Sequence, residues 1–444
     1  MQFPSDFYWG VATSSYQIEG AVNADGRGES IWDRFSAAPG AIQDGSTGTV
    51  ACDHYHRYIE DVSLMQWLGI NAYRFSIAWP RILPAGTGRI NRAGLDFYDR
   101  LVDALLKAGI TPFATLYHWD LPQALQDKGG WTNRDTAYAF ADYTAVLLKH
   151  LGDRVEFWIT HNEPWVAAFL GHYFGLHAPG WRDLTATLQA AHHMLLSHGL
   201  AAPLIQAAGG QAGFAPNLVP AQPASSDPAD LAAARRHDEY FNRWFLDPLA
   251  GRGYPQAMWD YYGTAVPIVG ADDMKIIAAP IDFLGINYYN RLIAADNPTG
   301  KAPQVRSVED PARPRTLDRE IYPEGLYDVL MRIHQEYDFP AFYVTENGAA
   351  VAEEMENGLV HDPQRTQFLH DHFVQAARAI GDGVSLRGYF VWSLLDNFEW
   401  ALGYTLRYGL VRVDYEPLAR TPKDSAAWYC TFIAAQSADA NEKS

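Results

Sequence analysis

Eight short apolar stretches, rich in β-branched and aromatic residues, recur along the chain at 7–12, 72–77, 112–117, 155–160, 211–215, 283–287, 341–345 and 388–392. Between them the period changes from two to nearly four. In 92–108, Leu95, Tyr98, Leu101 and Leu105 fall three or four residues apart, which lays one apolar stripe along a helix that Gly109 ends. The segment 136–151 repeats the pattern and is followed by Gly152. Strands that alternate with helices assemble as a parallel sheet, because each helix carries the chain back to the edge it left. Eight such units predict an α/β fold, a (β/α)8 TIM barrel with extended βα loops, as a single domain over 1–444. Two stretches interrupt the rhythm. Residues 216–230 are rich in Pro, Ala and Ser, and 297–319 are polar with several prolines. The alternation continues on both sides of each, so they read as loop insertions after the fifth and sixth strands.

In such a barrel the C-terminal ends of the strands surround one mouth, and the chemistry belongs there. Gln17, His118, Asn162, Glu163, Asn287, Tyr289, Glu346 and Glu399 all fall at predicted strand ends. Two of them are carboxylates that close apolar runs, in Ile159-Thr160-His161-Asn162-Glu163-Pro164 and in Phe342-Tyr343-Val344-Thr345-Glu346-Asn347-Gly348. Two carboxylates facing one another are the minimum equipment for cleaving a glycosidic bond. Taken alone, each also reads as a solvated loop acid or half of an ion pair. Glu163, between Trp158 and Trp165, fits a general acid whose pKa is raised by apolar walls or by the charge of Glu346. Glu346 fits a nucleophile held ionised by a cation, and Arg74 is the available one. An ordinary buried ion pair would make the same contact. Gln17, His118, Asn162 and Glu399 suit sugar hydroxyls, and a site that pairs each hydroxyl rejects sugars lacking one. His118 alone also reads as a structural histidine. Trp392 and Trp400 alone read as core, but Trp400 adjoins Glu399, which suits a polar pocket with an aromatic floor.

Composition narrows the picture. The 444 residues are 48% hydrophobic, enough for a large core without staples. A net charge of -18 argues against nucleic acid and anionic membranes as partners. What remains is a small-molecule partner, a glycoside on the carboxylate reading, with a homo-oligomer left open. Cys52 and Cys430 make neither a disulfide framework nor a zinc motif. His54 and His56, His192-His193 and His370-Asp371-His372 lack a complete ligand set, so no metal and no cofactor is expected. A Gly-rich phosphate loop and a Gly-x-Ser-x-Gly elbow are both absent. The first residues carry no basic segment followed by an apolar one, which predicts no signal peptide and a cytoplasmic location.

The motifs together resemble glycoside hydrolase family 1, the β-glucosidases and their relatives, along essentially the whole chain. They are 7–20, 73–81, Tyr117-His118-Trp119-Asp120-Leu121-Pro122, Asn162-Glu163-Pro164-Trp165, 175–180, Asn287-Tyr288-Tyr289, Thr345-Glu346-Asn347-Gly348 and 392–400. The resemblance implies a retaining double displacement that releases terminal non-reducing β-D-glucosyl residues from small-molecule β-glycosides, that is oligosaccharides and aryl or alkyl glucosides, with β-galactosyl and β-fucosyl residues as further substrates and cellulose or cellobiose degradation as the setting. It makes Glu163 the acid/base and Glu346 the nucleophile. It gives Asn162 the sugar 2-hydroxyl, lets Tyr289 orient the nucleophile and lets Arg74 hold its charge. Gln17, His118, Glu399 and Trp400 would grip the 3-, 4- and 6-hydroxyls. Trp392 would floor the pocket, and Trp165 and Tyr408 would shape its entrance. His161 departs from the family, which most often has Phe or Leu there, and is expected to face away from the site. The competing readings are a 6-phospho-β-glycosidase of the same family and a carbohydrate-binding barrel without catalysis. An anionic Glu399 and a following segment without lysine argue against the first. The presence of both glutamates argues against the second.

Overall fold

Peptide groups on a buried strand must find their hydrogen bonds on neighbouring strands. Here they find them in a closed ring. Strands β1 (Tyr8–Ala12), β2 (Ala72–Ser76), β3 (Thr111–Tyr117), β4 (Phe157–Asn162), β5 (Gln211–Ala215), β6 (Phe283–Asn287), β7 (Phe342–Asn347) and β8 (Leu386–Trp392) close a barrel in the order β1-β8-β7-β6-β5-β4-β3-β2. Every neighbouring pair is parallel. The structure is a computed structural model that describes residues 1–441; residues 442–444 of the expected domain lie outside the described part. Helices follow the strands: α1 (His54–Leu68), α2 (Arg92–Lys107), α3 (Asp135–Leu151), α4 (Leu184–Ala207), α5 (Pro228–Asp238), α6 (Glu324–Glu336), α7 (Pro363–Gly381) and α8 (Asp424–Asn441). The stripe read from the sequence is the buried face of α2: Leu95, Tyr98, Leu101 and Leu105 are all sealed from solvent.

The floor of the barrel is aromatic. Phe113 stacks on Phe157 at 4.1 Å between centroids, meets Phe390 edge-on at 4.8 Å, and reaches Tyr343 at 5.4 Å. Phe283 joins Tyr343 at 5.1 Å, and Tyr8 caps Phe113 and Phe157 from below. Rings this large fit only because glycine faces them. A Cβ on Gly10 would lie 2.4 Å from the Phe390 ring, and one on Gly213 would lie 2.2 Å from the Phe283 ring. Small opposite large fills the interior at normal density, and the barrel is plugged at its N-terminal end.

Two strands run further than their apolar patterns. β4 extends to Asn162 and β7 to Asn347, and both change register near their ends. An irregularity of this kind re-aims the side chains beyond it. On β4, Thr160 and His161 both turn outward to α4: Thr160 Oγ1 lies 2.7 Å from His198 Nδ1, and His161 Nε2 lies 2.7 Å from Ser197 Oγ. His161 is therefore buried on the outer face, among Tyr117, Trp131 and Phe140.

The stretches 216–230 and 297–319 are more ordered than loop insertions. Ala221–Pro223, Leu292–Asp296 and Val305–Val308 form a three-stranded sheet, and Pro228 begins α5. Strands of three to five residues without alternation leave no readable period.

The loop after β8 is anchored from behind by buried charge. Asp396 accepts hydrogen bonds from Lys423 Nζ at 2.8 Å, Arg407 Nη1 at 2.7 Å and the Gly409 amide at 2.9 Å. Lys423 also pairs with Glu353, which takes Arg365 as well. Removing one partner of a buried ion pair strands the others, at a cost of about 3–5 kcal/mol. Lys423→Met should therefore lower the urea midpoint of unfolding, followed by circular dichroism; a midpoint equal to wild type would show that the network contributes nothing.

Candidate active site

Arg74, the middle residue of β2, points into the barrel, and only 1% of it is exposed. A buried guanidinium needs a counter-ion and a partner for each N–H. It finds them on three other strands. Nη1 donates to Glu346 Oε1 at 2.6 Å and to the Thr345 carbonyl at 3.1 Å, Nη2 to Asn162 Oδ1 at 2.6 Å, and Nε to Thr115 Oγ1 at 3.2 Å. The other oxygen of Glu346 accepts the Tyr289 hydroxyl at 2.8 Å. Glu163 is met differently. Its Oε1 accepts Asn287 Nδ2 at 2.8 Å, and the same nitrogen reaches Asn162 Oδ1 at 2.9 Å.

The environments push the two acids apart. Burial is the largest cause raising Glu163, the charge of Glu346 adds to it, and the Asn287 amide opposes weakly. Glu346 is also raised by burial, but the Arg74 charge and the Tyr289 hydroxyl act against it directly. A proton shared between the pair therefore resides on Glu163.

Asn162 Oδ1 accepts from both Arg74 and Asn287, so its Nδ2 must donate, and it reaches His118 Nε2 at 3.0 Å. That nitrogen is then the acceptor, and the ring proton sits on Nδ1. Burial, with Arg74 nearby, keeps His118 neutral. Among the described residues His118 Nδ1 has no partner, and neither has Glu399 Oε1. Both groups line a cavity of about 440 Å³ above the aromatic floor, together with Glu163, Glu346, Asn287, Tyr289, Trp392, Trp400 and Tyr408. His118 lies parallel to Trp392 at 5.7 Å and to Trp400 at 5.9 Å.

Four expected site residues stand behind the wall. Arg74 and Asn162 support it as described. Gln17 spends its amide on the loop after β8: Nε2 donates to Asn397 Oδ1 at 2.8 Å and to the Phe398 carbonyl at 2.9 Å, while Oε1 accepts Ser14 Oγ at 2.6 Å. Trp165 packs on Phe241 at 4.2 Å and on Phe169 at 5.3 Å. The charge of Glu399 needs correction. Burial pushes it up to about 8, so in the open cavity its protonated form is favoured at neutral pH. Discrimination against a phosphate there would rest on the cations behind the loop, Lys423 and Arg407, being consumed by Asp396 and Glu353.

Three wall residues escaped the sequence reading. Trp119 donates Nε1 to the Asn162 carbonyl at 2.9 Å and lies 4.5 Å from the Trp400 ring. Asn217 pairs with the backbone of Asn287, and its buried Oδ1 has no partner among the described residues. Arg319 lies over the Tyr289 ring at 4.8 Å. The first sits inside a recognised motif but reads as core, and the other two sit in stretches without period. The left-handed backbone at Trp119 (φ 80°), Glu163 (φ 45°) and Trp400 (φ 54°) costs about 1–3 kcal/mol each.

Comparison with known proteins agrees in one direction. The pattern of glycosyl hydrolase family 1 matches residues 1–438. Beta-glucosidase A of Acetivibrio thermocellus is 50% identical over 438 residues, covering 97% of this chain and 98% of that protein. The crystal structure of the AHE enzyme from Alicyclobacillus herbarius superposes with a TM-score of 0.96 at 52% identity over 98% of each chain. A beta-glucosidase from Thermotoga maritima, solved in complex with glucoimidazole, superposes with a TM-score of 0.95 at 48% identity, covering 98% of this chain and 99% of that one.

The acid pair makes a prediction of its own. Glu346→Gln removes the charge that raises Glu163 and leaves Arg74 unpaired beside it, so the Glu163 pKa should fall in a carbon-13 NMR titration. An unchanged or higher value would show that the partner charge plays no part.

Proposed function

Since this chain belongs to glycosyl hydrolase family 1, we propose that it is a retaining β-glucosidase whose acid/base is Glu163 and whose nucleophile is Glu346, acting as one catalytic domain. The observation that carries this is the unequal pairing of two buried acids: Glu346 has a cation and a hydroxyl, while Glu163 has only an amide. In the first step Glu346 attacks the anomeric carbon. The bond to the glycosidic oxygen breaks, and Glu163 gives that oxygen its proton. The aglycone leaves as a neutral alcohol, and the sugar stays as an ester on Glu346. The ester carries no charge, so the part of the rise in Glu163 that the Glu346 charge supplied is gone while burial remains, and its carboxylate, now the conjugate base of a stronger acid, takes a proton from water. That water displaces Glu346, and two inversions return a β-sugar.

Residues of the wall, and those directly behind it, support a glucosyl seat. Asn162, fixed by Arg74 and Asn287, is positioned for the 2-hydroxyl. His118 Nδ1 and Glu399 Oε1 are buried polar atoms without partners among the described residues, which hydroxyls would satisfy. Gln17 keeps a lone pair of Oε1 for a hydroxyl, and Trp392 and Trp400 offer ring faces. The plugged floor suits a terminal residue. Substrates are β-glucosides, among them cellobiose and short β-glucans, with β-galactosides and β-fucosides accepted. A cytoplasmic location belongs to the same proposal, since Cys52 and Cys430 stand as free thiols suited to a reducing compartment.

Paired variants test the roles. Glu346→Ala should lose nearly all turnover on every β-glucoside, because no ester can form. Azide should partly restore it and yield the α-glycosyl azide. Glu163→Ala should keep the first step on activated aryl glucosides, and azide should then give the β-glycosyl product. Identical leaving-group dependence and the same azide anomer from both variants would overturn the assignment.

A further inference from the structure

The wall of the cavity carries several histidines but, among the described residues, one permanent cation, Arg319. The histidines are neutral: burial lowers His177 to about 3 and His237 to about 4, and it keeps His118 uncharged as well. Arg319 is held with care. Its Nε donates to Asp318 Oδ2 at 2.7 Å, and its Nη2 donates to the Tyr408 hydroxyl at 2.9 Å and to Asp318. Asp318 is itself fixed by Thr316 Oγ1 at 2.9 Å and by the Tyr408 hydroxyl at 2.6 Å. The guanidinium plane lies over Tyr289. One edge of the fork is thus committed, and Nη1 has no hydrogen-bond partner among the described residues.

The position is at the outer end of the cavity. The side chain of Arg319 is 31% exposed, against 4% for Glu346 at the inner end. The same cavity is also lined by an apolar set, Val166, Leu170, Leu218, Val219 and Phe241. A group leaving from Glu163 departs through this cavity, which Arg319 and those apolar side chains both line. Resting on the glycosidase reading above, we propose that Arg319 is a specificity-determining residue that selects β-glucosides whose aglycone joins an apolar, aromatic body to a carboxylate. The ring lies against the apolar wall, and the carboxylate accepts from Arg319 Nη1. An arginine suits this task because its second edge can bind while the first stays anchored.

The test compares 4-carboxyphenyl β-glucoside with its methyl ester in wild type, Arg319→Met and Arg319→Lys. The ratio of kcat/KM, acid over ester, cancels changes common to both substrates. It should be roughly tenfold higher in wild type than in Arg319→Met, carried by KM, with Arg319→Lys between them. The difference should shrink in 1 M NaCl. Independently of any variant, 4-hydroxybenzoate should inhibit wild type more tightly than 4-hydroxybenzamide. Equal ratios in wild type and Arg319→Met, or equal inhibition by the two benzoic derivatives, would overturn the assignment. So would an Arg319-dependent preference for glucoside 6-phosphate over glucoside, which would place the anion seat at the sugar end. Failure of wild type to turn over 4-nitrophenyl β-glucoside would instead overturn the glucosidase reading, and this inference with it.

Discussion

A guanidinium sealed inside a barrel has to be neutralised where it lies, and the upper half of this molecule is arranged around that demand. Arg74 reaches from β2 to β3, β4 and β7, and the negative charge it requires is Glu346. Asn162, which takes the other end of the fork, has its amide orientation fixed as a result. Through that amide the histidine beside it is told which nitrogen may carry a proton. One buried ion pair thus sets the ionisation of one acid and the orientation of two neutral neighbours. A well-formed buried pair is often no better for stability than apolar packing of the same volume. Its value here lies in placing charge.

The same economy appears in the backbone. β4 slips register near its end, and that slip sends Thr160 and His161 to the helix layer and leaves Asn162 and Glu163 facing inward. The loop after β8 is positioned from two sides, by Asp396 on its buried ion network and by Asn397 on the amide of Gln17. Cavity residues of that loop inherit their positions from contacts made by residues that do not line the cavity.

The barrel itself was legible in the sequence because eight apolar strands, each followed by a helical stripe, can bury both their faces and both sheet edges by closing into a ring. The two acids were legible as a pair because a barrel brings its strand ends to one mouth; singly, each reads equally as a loop acid or half of an ion pair. What escaped was whatever depends on neighbours in space. Arg319 next to Asp318 reads as a surface pair in a proline-rich stretch, and only Tyr289 and Tyr408, remote in the chain, give it a face. Trp119 was inside a motif, yet its indole donor means something only once the Asn162 carbonyl is opposite. The three-stranded sheet after β5 and β6 is built from strands too short to show a period. The pKa of Glu399 follows from its burial, which no linear reading supplies.

The aromatic plug has a kinetic meaning. With Phe113, Phe157, Phe283, Tyr343 and Phe390 filling the floor and glycines leaving them no slack, the cavity is a cul-de-sac. Nothing can thread through it, so a polymer cannot be fed along from one cleavage to the next, and each event requires a fresh encounter. Entry from the mouth side also imposes a queue. The outer fragment has to depart before the inner sugar can, and the inner sugar is the last to leave. As that sugar accumulates outside, it waits at the same door as the next substrate.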